Sequence, residues 1–184
     1  LPVAIRFDVD GSDVQINQTA NLIEMDEEYL DGVIHVSDYV VEPPDLIETL
    51  ELNGNFETLL EAIELADLTD DLRSRSNITF FAPTDDAFDG FFSTEVGVND
   101  LEDYTQNELS KILRYHILED IHTASVLRNL SFPDVFSTLL NNQDVFISSS
   151  TGFVFVNDSI NVSLLDVHSL NATIHVVDDV LEFE

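Results

Sequence analysis

Five histidines and 37 carboxylates are the groups through which this 184-residue chain could do acid–base or metal chemistry, and no cysteine adds a thiolate. Their spacing points to neither chemistry. His35, His116, His122, His168 and His175 fall in different segments, with no His-Glu-x-x-His pair and no other ligand spacing that holds a metal. His175 stands in the apolar run Thr-Ile-His-Val-Val, where it is expected to be buried and hydrogen-bonded to backbone or a carboxylate. Tyr115 and His116 end an amphipathic stretch, where a core ring and a helix cap are the structural expectation. The acid pairs Asp85-Asp86 and Asp178-Asp179 would serve a glycosidase only at a set separation across a cleft, and in so acidic a chain such pairs arise everywhere. No Gly-x-Ser-x-Gly, P-loop or Rossmann fingerprint occurs, and the six glycines are dispersed. The expectation is a non-enzyme with no cofactor.

The run Asp-Val-Asp-Gly-Ser-Asp, Asp8 to Asp13, resembles the start of a calcium loop. An EF-hand needs glycine at its sixth position and glutamate at its twelfth, whereas Gly11 is fourth and Thr19 twelfth. A polar turn is expected here, with calcium binding limited to a weak, diffuse attraction to the acidic surface.

The asparagines carry more. Asn17, Asn77, Asn129, Asn157, Asn161 and Asn171 each open an Asn-x-Ser/Thr acceptor triplet, six among 13 asparagines. Ser and Thr make up about 15% of the chain, so random placement would give about two. The excess predicts N-glycosylation on a secretory route. A polar, Ser-, Thr- and Asn-rich surface is the compositional alternative.

Six Arg and Lys against 37 Asp and Glu give a formal net charge of −31, which repels nucleic acid phosphates and anionic membranes. Neither is expected as a partner. An apolar content of 44% is ample for a core, yet no stretch approaches the roughly 20 apolar residues of a spanning helix, so no membrane insertion by this segment is expected. Leu1 is not a start methionine, and any export signal or anchor is expected outside the segment.

Residues 13–42 laid over 153–182 without a gap match at 11 of 30 positions, an offset of 140. The matches include Asn17/Asn157, Asp26/Asp166, Ile34/Ile174, His35/His175 and Asp38/Asp178. A period of this length is that of a whole domain. Residues 1–43 are therefore expected to close one domain and 44–184 to form a complete second copy, with Glu42-Pro43-Pro44-Asp45 as a stiff boundary. Residues 1–43 would then expose strand edges and a core face unless another segment completes them.

Within the complete copy, helices precede strands. Leu46, Ile47, Leu50, Phe56, Leu59, Leu60, Ile63 and Leu68 recur at three- and four-residue spacing around an Asn-Gly-Asn break, predicting a helical hairpin. Ile78 to Ala82 reads as a strand stopped by Pro83, followed by a helix capped by Thr84 with Asp85 and Asp86 in its first turn. Leu109, Ile112, Leu113 and Ile117 are expected on the inner face of the next helix. From Phe136 the spacing becomes that of strands, with a hairpin turn at 149–152. The fold class is α+β.

These residues carry a family resemblance. Thr79 to Phe88 (TFFAPTDDAF) resembles the first signature of the fasciclin domain, Leu113 to Leu118 (LRYHIL) its central Tyr-His motif, and Asn171 to Leu181 (NATIHVVDDVL) its closing signature, in family order and spacing. The upstream copy, Asp31 to Val41 (DGVIHVSDYVV), resembles the same closing signature. The resemblance implies a wedge-shaped β-sandwich with helices packed on it, in secreted or cell-surface attached proteins of adhesion and extracellular matrix, commonly in tandem. It implies other fasciclin domains, cell-surface or matrix proteins and glycans as partners. It also implies Tyr115, His116, Asp166 and Val167 as candidate receptor contacts, with core, cap and strand positions as the structural alternative. A structural subunit of an extracellular filament, sheath or adhesive, assembled as a homo-oligomer, is the second functional expectation.

Overall fold

The computed structural model describes residues 6–94, 100–130 and 133–183; the first five residues of the expected partial copy and the last residue of the complete one lie outside them. The chain opens with four antiparallel strands in sequence order, β1 (Phe7–Asp10), β2 (Asp13–Ile16), β3 (Ala20–Tyr29) and β4 (Gly32–Ser37). The Asp8 to Asp13 run is the tight β1–β2 hairpin, turning through Gly11 at φ 64°, a left-handed position glycine adopts without strain.

The helical half begins at Asp45. Its carboxylate accepts the Glu48 N–H and the Glu48 carboxylate accepts the Asp45 N–H, both at 2.9 Å, a reciprocal cap that starts α1 (Leu46–Asn53). After the Asn-Gly-Asn break comes α2 (Glu57–Leu65), and Leu46, Ile47, Leu50, Phe56, Leu59 and Ile63 are all buried, as their spacing predicts. A short α3 (Thr69–Ser74) follows. Its Asp71 carboxylate takes Arg75 at 3.1 Å and Arg114 at 3.3 Å.

β5 (Ile78–Pro83) is buried throughout and ends at the proline. Thr84 Oγ1 then accepts the Ala87 N–H at 3.3 Å to start α4 (Asp85–Thr94), while Asp85 Oδ1 reaches back to the Thr58 N–H of α2 at 2.7 Å. A Thr105–Glu108 capping box opens α5 (Gln106–Tyr115). Leu109 and Leu113 are buried on its inner face, but Ile117 is not on the helix. His116 caps α5, and Ile117 begins the two-residue strand β6 (Ile117–Leu118).

α6 (Ala124–Leu127) leads to β7 (Asp134–Ser137), β8 (Asp144–Ser150), β9 (Phe153–Val156), β10 (Ile160–His168) and β11 (Ala172–Val177). These join β5 and β6 in one sheet ordered β6-β5-β11-β10-β9-β8-β7, in which β5 and β11 run parallel. Beyond β7, Leu139 N–H bonds Ile117 O of β6 at 2.8 Å, so the sheet curls until its two edges nearly meet. The period-two alternation of β5 and β11 divides two cores. Phe80, Ala82, Ile174 and Val176 face the helices, whereas Phe81 and Val177 enter the curled sheet with Tyr115, Leu118, Val145, Ile147 and Val154.

The internal repeat is three-dimensional. At the 140-residue offset, Leu22↔Ser37, Glu24↔Val36 and Glu27↔Ile34 reproduce Val162↔Val177, Leu164↔Val176 and Val167↔Ile174, including both register shifts. Asn17, Gln18 and Asp26 share positive φ with Asn157, Asp158 and Asp166. Even the side-chain bonds recur: Asp38 and Asp178 accept the N–H of Asn21 and Asn161, and His35 and His175 accept the N–H of Asp26 and Asp166.

Candidate functional site

α5 carries Tyr115 and His116 into the interior. Tyr115 is buried; its hydroxyl donates to Asp144 O at 3.1 Å and accepts from Asn157 Nδ2 at 3.0 Å, while its ring meets Phe183 edge-on. His116 is 1% exposed. Its Nε2 accepts the Leu181 N–H at 2.9 Å, so the proton sits on Nδ1, which donates to Ile112 O at 2.8 Å. Burial pushes this imidazole down to about 4, against the opposing hydrogen bond to Ile112. The pair therefore fastens the segment after β11 to the end of α5, and neither ring is open to a partner in the folded state.

Asp166 sits at the β10 bulge with φ 61°, not at a strand end. Its N–H donates to His175 Nδ1 at 3.1 Å, and its carboxylate accepts the Ala124 N–H, the first residue of α6, at 2.7 Å. Val167 packs half-buried on the helical core. His175, fully buried as expected, donates through Nε2 to His122 O at 2.7 Å. Burial lowers its pKa, outweighing the bond to His122 and the charge of Asp166; His122 is lowered by burial too, against Asp120. In the upstream copy the same bulge lies open, with the Asp26 side chain 88% exposed. The candidate contacts are thus held separately: Tyr115 bonds Asn157, His116 bonds Leu181, Asp166 bonds His175, and Val167 packs on the helical core.

The acceptor asparagines divide by burial. Asn17 and Asn157, which coincide in the repeat, lie in turns folded inward: Asn17 is 8% exposed and Asn157 half-buried, because each side-chain oxygen accepts a backbone N–H, from Arg6 at 2.9 Å and Phe146 at 3.1 Å. Asn171 Oδ1 accepts the Leu46 N–H at 2.8 Å, and Nδ2 donates to Leu72 O at 2.9 Å and Arg75 O at 3.1 Å. Asn77 and Asn129 are exposed and Asn161 is half-buried; Ser131, which completes the Asn129 triplet, lies outside the described residues. Sequence reasoning missed Asn171 as the residue that joins α1, α3 and the β10–β11 turn. The signal available was its place in a Ser-Leu-Asn turn.

Tyr115→Phe tests the clasp at Tyr115. It keeps the ring and strands Asp144 O and Asn157 Nδ2, so a loss of about 1–2 kcal/mol in urea unfolding is expected; an unchanged midpoint would contradict the clasp.

Among the described residues no three His, Asp or Glu side chains gather to hold a metal, and no helix is long and apolar enough to cross a membrane. The fasciclin domain family model matches residues 54–183. Human periostin is 31% identical over 155 residues, covering 82% of this chain and 18% of periostin. A Synechocystis protein is 30% identical over 140 residues, 75% of this chain and 97% of that protein. The pig transforming growth factor-beta-induced protein ig-h3 is 28% identical over 152 residues, 82% of this chain and 21% of ig-h3. The chain thus spans about a fifth of periostin and ig-h3. Among solved structures, the FAS1 domain pair of the insect cell adhesion molecule fasciclin I aligns with a TM-score of 0.64 at 20% identity, covering 97% of this chain and 66% of that one. With helices packed on a nearly closed, wedge-like sheet and a family match over most of its length, the chain belongs to the fasciclin domain family.

Proposed function

We propose that this chain is an extracellular adhesion or matrix module of a tandem fasciclin protein, acting through surface contact and glycans rather than bond chemistry. The observation that carries this reading is the repeat, which recurs pair by pair at an offset of 140 residues. Residues 1–43 are the closing part of a preceding fasciclin domain and 44–184 the complete one. Burial supports the division: Ile34, Val36 and Val40 are 52%, 37% and 77% exposed, whereas their counterparts Ile174, Val176 and Val180 are 1%, 7% and 3%. In the complete copy β5 and the helices cover that face, and β4 has the edge that β5 occupies on β11. Likeness to the insect cell adhesion molecule and to periostin supports adhesion.

Each domain then offers a weak contact, and tandem copies raise its effective concentration. Proteins carrying one and two complete domains should differ in cell or matrix attachment by about 10²-fold or more. Equal affinities would sink the multivalent mechanism.

The Pro43-Pro44 junction favours a second reading, a stiff subunit of an extracellular filament or sheath. Leu170 N–H bonds Pro44 O at 2.8 Å and Arg6 Nη1 bonds Leu52 O at 3.0 Å, fastening the junction on both sides. Ordered polymers in micrographs of native material would favour this reading over a monomer that binds cells saturably.

A further inference from the structure

We propose that the six acceptor triplets are of two kinds: Asn77, Asn129 and Asn161 are the glycan-bearing sites of the folded protein, and Asn17, Asn157 and Asn171 are structural asparagines closed to modification. The assignment rests on the extracellular reading above. N-glycosylation moves an oligosaccharide from a lipid-linked pyrophosphate donor to the side-chain nitrogen. The sugar C1–O bond to pyrophosphate breaks, a C1–Nδ2 bond forms, the lipid pyrophosphate leaves with the bonding electrons, and Nδ2 gives up one proton to a base. An acceptor must therefore spare one amide hydrogen and the space beside it.

Asn171 can spare neither of its hydrogens, because both are committed to Leu72 O and Arg75 O. Asn17 Nδ2 is sealed from solvent, so a sugar has no volume to occupy. Asn157 Nδ2 donates to the hydroxyl of Tyr115, a member of the second core, at 3.0 Å, which holds the half-buried amide against that core. All three have a reason to be asparagine that needs no glycan. Asn17 and Asn157 hold left-handed turns at φ 52° and 48°, a conformation asparagine tolerates, and cap the neighbouring strand with their side-chain oxygens. Their recurrence at the repeat offset is thus a turn requirement.

In the other three the amide is neither sealed from solvent nor committed through both hydrogens. Asn77 lies exposed in the turn before β5, also left-handed at φ 59°, and its side chain makes no hydrogen bond among the described residues. Asn129 is exposed and commits one hydrogen, to Ser125 O at 2.7 Å, leaving the other. Asn161 uses its backbone N–H on Asp178 while its side chain is unbonded among the described residues.

The test is site-by-site occupancy, by mass spectrometry after glycosidase treatment, of the full chain secreted from a eukaryotic host. Glycan at Asn77, Asn129 and Asn161 and bare Asn17, Asn157 and Asn171 in the folded fraction is expected. Occupied Asn17 or Asn171 in folded protein, or a bare Asn77, overturns the assignment. Natively sourced material bare at every site would instead overturn the glycoprotein reading beneath it. Variants made without glycosylation separate the classes independently: Asn129→Gln, at an exposed position outside the left-handed region, should leave the unfolding midpoint in place, and Asn17→Gln should lower it. Equal midpoints would count against the division.

Discussion

Replacing Asn171 with alanine is expected to cost about 3 kcal/mol, among the largest losses available from a single exposed-to-half-buried side chain. The residue holds three elements at once: Leu46 at the start of α1, Leu72 and Arg75 around the end of α3, and its own turn through Ser169. Alanine leaves one N–H and two carbonyls unmatched at a part-buried junction, each costing roughly 1 kcal/mol or more. Asn171→Asp is the sharper variant. It preserves shape and the acceptor for Leu46, but a carboxylate cannot donate to two carbonyls and adds a charge to a chain already at −31. It should be at least as destabilising as alanine. Urea unfolding at fixed slope measures both, and in the alanine variant amide exchange at Leu46 should quicken first. An aspartate variant as stable as the parent would show that the donor bonds to Leu72 and Arg75 contribute nothing.

Much of this architecture is written in local spacing. The α1–α2 hairpin, the Pro83 stop and the Thr84 cap each depend on neighbours within four residues, so periodicity reveals them. The repeat also exposes itself, since a gapless offset needs no structural knowledge. Ile117 shows where periodicity stops: its spacing continues the α5 stripe, yet His116 closes the helix because its imidazole is claimed by Leu181, 65 residues on. Asp166 is similar, its bulge requiring both the His175 ring and the α6 N-terminus. The asparagine triplets look alike in sequence because acceptor chemistry and turn geometry use the same residue. Only the partners of Nδ2, which lie up to 99 residues away, tell them apart.

Acidification should weaken the fold between pH 6.5 and about 4, with His116 as the largest single source. In the native state its imidazole stays neutral to about 4; in the unfolded chain it titrates near its ordinary 6.5. The unfolded state therefore binds a proton that the native state refuses. The stabilisation is complete above pH 6.5, declines as pH falls through the window, and changes no further below about 4. This group alone should remove about 2 kcal/mol between pH 7.5 and 5 and about 3 kcal/mol in full. His175 and His122, both lowered by burial, act in the same direction. The charge of −31 opposes them, because acid relieves self-repulsion. His116→Gln separates the two. It should start less stable at pH 7.5, having lost the fit between Ile112 O and the Leu181 N–H, and should show a shallower decline to pH 5. A variant as stable as the parent at pH 7.5, with the same slope, would remove His116 from the account. The geometry also predicts where the change appears. Protonated Nε2 faces the Leu181 N–H donor to donor, so protection at Leu181 should fall before that of β5 or β11. Leu181 lies in the segment equivalent to the one that enters Pro43-Pro44 in the upstream copy. The acid-sensitive clasp therefore sits at the repeat position that, in the upstream copy, runs into Pro43-Pro44.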